Sequence, residues 1–78
     1  MSEMTPESYE QNIRRSLART IWTQRFRQVD DSTIRNILYS KVDTLSSVTW
    51  SLSHEKVRQI VAELLGFGNP QLEQIFNV

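Results

Sequence analysis

The chain of 78 residues has no cysteine, two glycines, two prolines, one histidine and no surplus charge, with nine Lys plus Arg against nine Asp plus Glu. Without cysteine there is no disulfide framework, no thiol chemistry and no common structural zinc site, which suits a reducing compartment. The two glycines, Gly66 and Gly68, flank Phe67, so no glycine-rich phosphate loop can be built elsewhere. Charge balance gives no global warrant for binding nucleic acid or an anionic surface. No stretch approaches the ~18 consecutive apolar residues of a membrane span, and the start, MSEMTPESYEQ, is polar and acidic. Neither secretion nor membrane insertion is expected, and the cytoplasm is the expected location. A chain this short is one folding unit over residues 1–78, with residues 1–5 expected to be flexible. A core drawn from 38% apolar residues leaves only a few kcal/mol of net stability, so self-association would help it.

Catalytic chemistry is equally scarce. His54 follows Ser53, which places it in the first turn of a helix, where the dipole disfavours imidazolium. It has no second histidine at ligand spacing, so neither a metal site nor a general base is expected. Ser53 to Lys56 matches Ser-x-x-Lys by letter, a pattern so short that chance explains it. The expectation is a non-enzyme with no catalytic residue, metal, cofactor or small-molecule substrate.

What is present is a pattern of helices. Thr5, Pro6 and Glu7 read as a helix start, and the first helix should run from Pro6 to about Gln28. Tyr9, Ile13, Leu17 and Ile21 recur every four residues, with Ala18, Trp22, Phe26 and Val29 as a second row. Asp30 and Asp31 can cap a second helix whose inner stripe is Ile34, Ile37, Leu38, Val42 and Leu45, with Asp31 and Arg35 one turn apart. Val48, Trp50 and Leu52 then alternate with Thr49 and Ser51 at period two, which predicts an extended segment. It is either a connector pinning those three residues into the core or a strand that pairs with a second copy or a partner. Ser53 caps a third helix with the stripe Val57, Ile60, Val61, Leu64 and Leu65; Gly66 fits its end in a left-handed conformation. Asn69 and Pro70 begin a short terminal helix with Leu72, Ile75 and Phe76 inward. The predicted fold is all-α, a small bundle of three main helices plus a short C-terminal one, with one extended segment between helices two and three.

Charge distribution says more than its total. From Gln11 to Val29 there are five arginines (Arg14, Arg15, Arg19, Arg25, Arg27) with no lysine and no acid, while Glu3, Glu7, Glu10, Asp30 and Asp31 lie on either side. Arg15, Arg19, Trp22 and Phe26 are spaced four, three and four apart and share one helical face, which suits a nucleic acid or an acidic protein surface. The alternative is a solvated face with the rings in the core and the arginines paired to the flanking acids.

Two stretches resemble known families. Val29 to Leu38 (VDDSTIRNIL) resembles the turn and recognition helix of repressor-type helix-turn-helix domains, and Val57 to Gly66 (VRQIVAELLG) is similar to their closing helix. That resemblance implies Ser32, Thr33, Arg35 and Asn36 in a DNA major groove. Leu65 to Asn69 (LGFGN) resembles the loop of ubiquitin-associated domains. A first helix of about 23 residues spans roughly 35 Å, more than helices two and three cover singly, which predicts a further contact for it. The functional expectation is a regulatory or adaptor module that binds protein and self-associates. Nucleic-acid binding through the arginine helix or through Arg35 and Asn36 is the alternative.

Overall fold

Helix-favouring periodicity without a competing strand partner leads to a structure whose described residues are helical and carry no strand. The computed structural model describes residues 6–50 and 52–77. It contains α1 (Pro6–Phe26), α2 (Asp31–Thr44), α3 (Ser47–Trp50), α4 (His54–Leu65) and α5 (Asn69–Phe76). Thr5, expected to cap the first helix, and the expected flexibility of residues 1–5 lie outside the described residues.

The apolar stripes converge as their spacing requires. Leu17, Ala18 and Ile21 from α1, Ile34, Leu38 and Val42 from α2, Val57, Ile60, Val61 and Leu64 from α4, and Leu72 from α5 form one buried cluster. α1 packs chiefly against α5 and α4, and α2 against α4. α5 runs back along α1, from Asn69 bonded to Arg25 to Ile75 beside Arg14 and Arg15. The inner face of α1 is thereby covered chiefly by α4 and α5.

α1 ends two residues earlier than expected, because Gln28 turns left-handed with φ 64°. The Gln28 N–H bonds the Arg25 carbonyl at 2.9 Å and the Val29 N–H bonds the Gln24 carbonyl at 3.1 Å. These two bonds are the pair that closes a helix in a Schellman turn, here with glutamine where glycine is favoured. Gly66 differs from expectation in the opposite sense, since its φ of −78° is right-handed. The last turn of α4 tightens instead, through Gly66 N–H to Glu63 O at 3.1 Å and Phe67 N–H to Leu64 O at 3.0 Å. A Cβ at Gly66 would sit 3.3 Å from the Glu63 carbonyl oxygen, so the position is tight for a side chain.

The extended segment predicted over Val48, Trp50 and Leu52 is a correction. Residues Ser47–Trp50 form a single helical turn, α3. Ser46 nucleates it: its hydroxyl accepts from the Thr49 N–H at 3.3 Å and contacts the Thr49 hydroxyl at 3.1 Å. Its carbonyl accepts from the Thr49 N–H at 3.1 Å. With no neighbouring strand to complete a ladder, local bonds satisfy this backbone and override the period-two pattern. Trp50 and Leu52 pack against the core, but Val48 is 84% exposed. No ladder edge is therefore offered at these three positions.

Candidate docking surface

The five arginines of the acid-free run divide into two sets according to where the helical turn aims them. Arg14 and Arg25 point along the inner flank of α1 and are engaged by the fold. Arg14 donates to Glu63 on α4 at 2.9 Å and lies 3.9 Å from Glu10, while Lys56 reaches Glu10 at 3.1 Å. This cross-clasp ties the first half of α1 to α4, and the Arg14 guanidinium holds the Glu63 carboxyl below its ordinary value.

Arg25 is the more demanding case. Its Nε and Nη2 fork the Asp31 carboxylate at 3.0 and 3.1 Å, Nη1 donates to Phe67 O at 2.7 Å and Asn69 Oδ1 at 3.2 Å, and Nη2 also donates to Leu65 O at 3.0 Å. All five guanidinium donors are thus used. The side chain is only 16% exposed, and it joins the end of α1, the start of α2 and the α4–α5 turn. Because Asp31 serves Arg25, the expected Asp31–Arg35 pair does not form.

Arg15, Arg19 and Arg27 are exposed, and their side chains make no ion pair or hydrogen bond among the described residues. They line a depression along the outer face of α1, together with Ser16, Thr23 and Phe76 of α5. No acid among the described residues lines this depression. Trp22 is half-buried with its ring centroid 4.3 Å from Phe26 in a tilted contact and 5.4 Å from Phe76 edge-on, so the rings form a cluster around Trp22 at the edge of α1 and α5. Phe26 is the outermost ring of that cluster and is 65% exposed. The expected face of Arg15, Arg19, Trp22 and Phe26 is therefore assembled in part, with Trp22 serving the core and the other three facing out. The Trp22 indole N–H is buried with no acceptor.

Arg35 and Asn36, the other predicted contacts, are exposed on α2, away from the arginine face in sequence and on a separate helix. Arg35 lies in a shallow groove with Asp31, Ser32, Tyr39 and Leu65. The Thr33 hydroxyl bonds Asp30 at 2.6 Å and holds that carboxyl below its ordinary value. Two acidic residues, Asp30 and Asp31, stand at the start of the helix that a groove-reading role would bring against phosphates, which is unfavourable to that role.

His54 Nε2 lies 2.6 Å from the Leu45 carbonyl oxygen. Since a carbonyl only accepts, Nε2 carries the hydrogen, and the ring splices the end of α2 to the start of α4. Sequence reasoning did not foresee this contact, nor the Arg25 hub; a lone arginine beside the last turn of a helix carries no local signal for partners forty residues away. Arg58, paired with Asp43 and lying 5.5 Å from the Tyr39 ring centroid, was likewise unforeseen. No group of three or more metal-ligating side chains occurs among the described residues, and no helix is long and apolar enough to cross a membrane. Comparison with protein-family models, curated proteins and solved structures finds no match, so function rests on the surface itself.

Proposed function

We propose that this chain is a non-enzymatic binding module acting by protein–protein contact, with the outer face of α1 as its docking surface and an acidic protein surface as its partner. One observation carries the reading: among the described residues Arg15, Arg19 and Arg27 have no side-chain partner, on a face that carries no described acid and ends at the exposed ring of Phe26. Arg14, Arg25 and Arg58 each have an acid within the chain. Among the described residues Arg35 on α2 is also without an ion pair, but it stands alone beside Asp31, whereas Arg15, Arg19 and Arg27 share one face. Arginine and aromatic side chains are also the types that dominate protein interfaces energetically.

Symmetric self-association through this face would bring arginine against arginine and is disfavoured by charge. Nucleic acid is less well served than five arginines suggested. Three phosphate contacts give a salt slope of only about −2.7 on duplex DNA, and the chain as a whole is neutral.

The test compares the tagged chain with an Arg15→Glu/Arg19→Glu variant in nuclease-treated extract of its source cells. The expected result is a discrete protein held by the wild type and released by the variant, whose addition to the labelled chain perturbs backbone resonances of α1. Capture unchanged by the double reversal, or capture of nucleic acid alone when nuclease is omitted, would remove the reading.

A further inference from the structure

We infer that the segment docking on this face is an acidic amphipathic α-helix of the partner, laid lengthwise on α1 beside α5; the inference rests on the docking surface proposed above. Arg15, Arg19, Trp22 and Phe26 follow one another at intervals of four, three and four. That alternation is the seam by which one helix meets another along its length. The two halves of the seam differ in chemistry. Arg15 and Arg19 leave the helix about 6 Å apart along its axis, and neither side chain has a partner among the described residues. One and two turns further on, Phe26 lies 65% exposed over the Trp22 ring, with Phe76 of α5 beside it.

A complementary surface therefore carries two carboxylates one turn apart and, roughly 10 Å beyond them along the axis, apolar side chains to cover Phe26 and Phe76. Helical spacing supplies both from a single face. An extended peptide could space its carboxylates similarly, but α1 has no open backbone edge to pair with it, so its own N–H and C=O groups would meet the interface unsatisfied. A helix satisfies those groups internally. Ser16 and Thr23 flank the seam with short side chains, and the Thr20 hydroxyl is turned back onto the Ser16 carbonyl at 3.0 Å, which leaves room for close approach. A second copy offers arginine to arginine across the same seam, and single-stranded nucleic acid offers far more charge than three arginines can neutralise.

The experiment uses the full chain and three labelled probes in fluorescence anisotropy. The first is a capped, alanine-rich peptide of about 18 residues, long enough to hold a helix, with two glutamates and two leucines at the same four, three, four intervals. The second has the same composition permuted so that no face carries all four, and the third is a single-stranded RNA of about 12 nucleotides. The expected result is binding of the first peptide about tenfold tighter than the second, weakened at least about fivefold by Arg15→Gln/Arg19→Gln and separately by Phe26→Ala. Equal binding of the two peptides overturns the helix while leaving an acidic protein partner in place. RNA binding with neither peptide bound overturns both the helix and the protein reading. Binding of no probe overturns the helix alone, because capture from extract decides the broader proposal independently. A doubling of mass in light scattering, with α1 resonances shifted, assigns the seam to a second copy and overturns the inference.

Discussion

Arg25→Ala removes a side chain that is 16% exposed and ties the end of α1 to two separated parts of the chain: Asp31 at the start of α2, and the α4–α5 turn through the Leu65 and Phe67 carbonyls and Asn69. Deleting one partner of a buried charged cluster costs about 3–5 kcal/mol, because the groups left behind have lost their compensation. Here Asp31 is 53% exposed and regains water, and the carbonyls at the α4–α5 turn can be partly hydrated, so the lower end applies, about 3 kcal/mol. A 78-residue domain holds roughly 4–12 kcal/mol in total, so this single change takes a quarter or more of it. At about 4–8 °C per kcal/mol, the midpoint of thermal unfolding falls by about 12–24 °C. Urea and thermal unfolding followed by circular dichroism measure this directly, with the urea slope unchanged if the fold is otherwise intact. Asp31→Ala discriminates the source of the loss. It leaves the bonds to Leu65, Phe67 and Asn69 in place and should cost about 1 kcal/mol, well under half the Arg25→Ala effect. Arg25→Lys keeps the charge but not the fork and should lie between them, at about 2 kcal/mol. An Arg25→Ala loss below about 1 kcal/mol, or one matched by Asp31→Ala, would refute the claim that this guanidinium fastens three elements.

Gln28→Gly should stabilise the chain by about 1 kcal/mol, read as a midpoint rise of about 4–8 °C, since it relieves a left-handed side-chain residue at the end of α1. Ile21→Ala should cost about 2–5 kcal/mol in urea unfolding because Ile21 is fully buried, whereas Ile37→Ala, at a residue 51% exposed, should cost clearly less. Val48→Lys should change stability by less than about 0.5 kcal/mol and leave the mass in light scattering unaltered, because Val48 is 84% exposed on a helical turn. Glu63 and Asp30 have carboxyl values lowered on folding, so their contribution is present above their ordinary values of 4.5 and 3.8 and is lost as pH falls through the lowered ones. Urea midpoints measured across that acid range should decline, and the decline should be shallower in Glu63→Gln.

The helices were legible because the core stripes repeat at helical period, and at α4 and α5 a start signal works as well, whereas Asp30 precedes α2 without a side-chain cap bond. Ser53 does accept from the Lys56 N–H, at 3.2 Å, and Pro70 does stand in the first turn of α5. The period-two run at Val48 to Leu52 misled for a reason of the same kind. Alternation predicts a strand only if a neighbouring backbone is there to pair, and with a good cap at Ser46 residues Ser47–Trp50 close a helical turn more cheaply. Helix ends failed where distant groups decided them. Gly66 needed no left-handed turn because the carbonyls around it are met by Arg25, a residue 41 positions earlier.

The candidate surface was legible to the same limit. Five arginines on one helix read as one basic segment, yet a turn of 100° per residue cannot send positions 14, 15, 19, 25 and 27 the same way. Positions 14 and 25 fall beside the buried row Leu17, Ala18 and Ile21, where an unpaired guanidinium would be costly, and each has acquired an acid. Positions 15, 19 and 27 fall opposite that row, where solvent makes a partner unnecessary for folding, and none has one. Removing the latter three should accordingly be silent in unfolding experiments and visible only in binding ones, the reverse of the outcome for Arg25. A variant with Arg15, Arg19 and Arg27 all changed to Gln that unfolds with a loss of more than about 1 kcal/mol would show that these arginines also serve the fold. The division of labour on which the docking surface depends would then be gone.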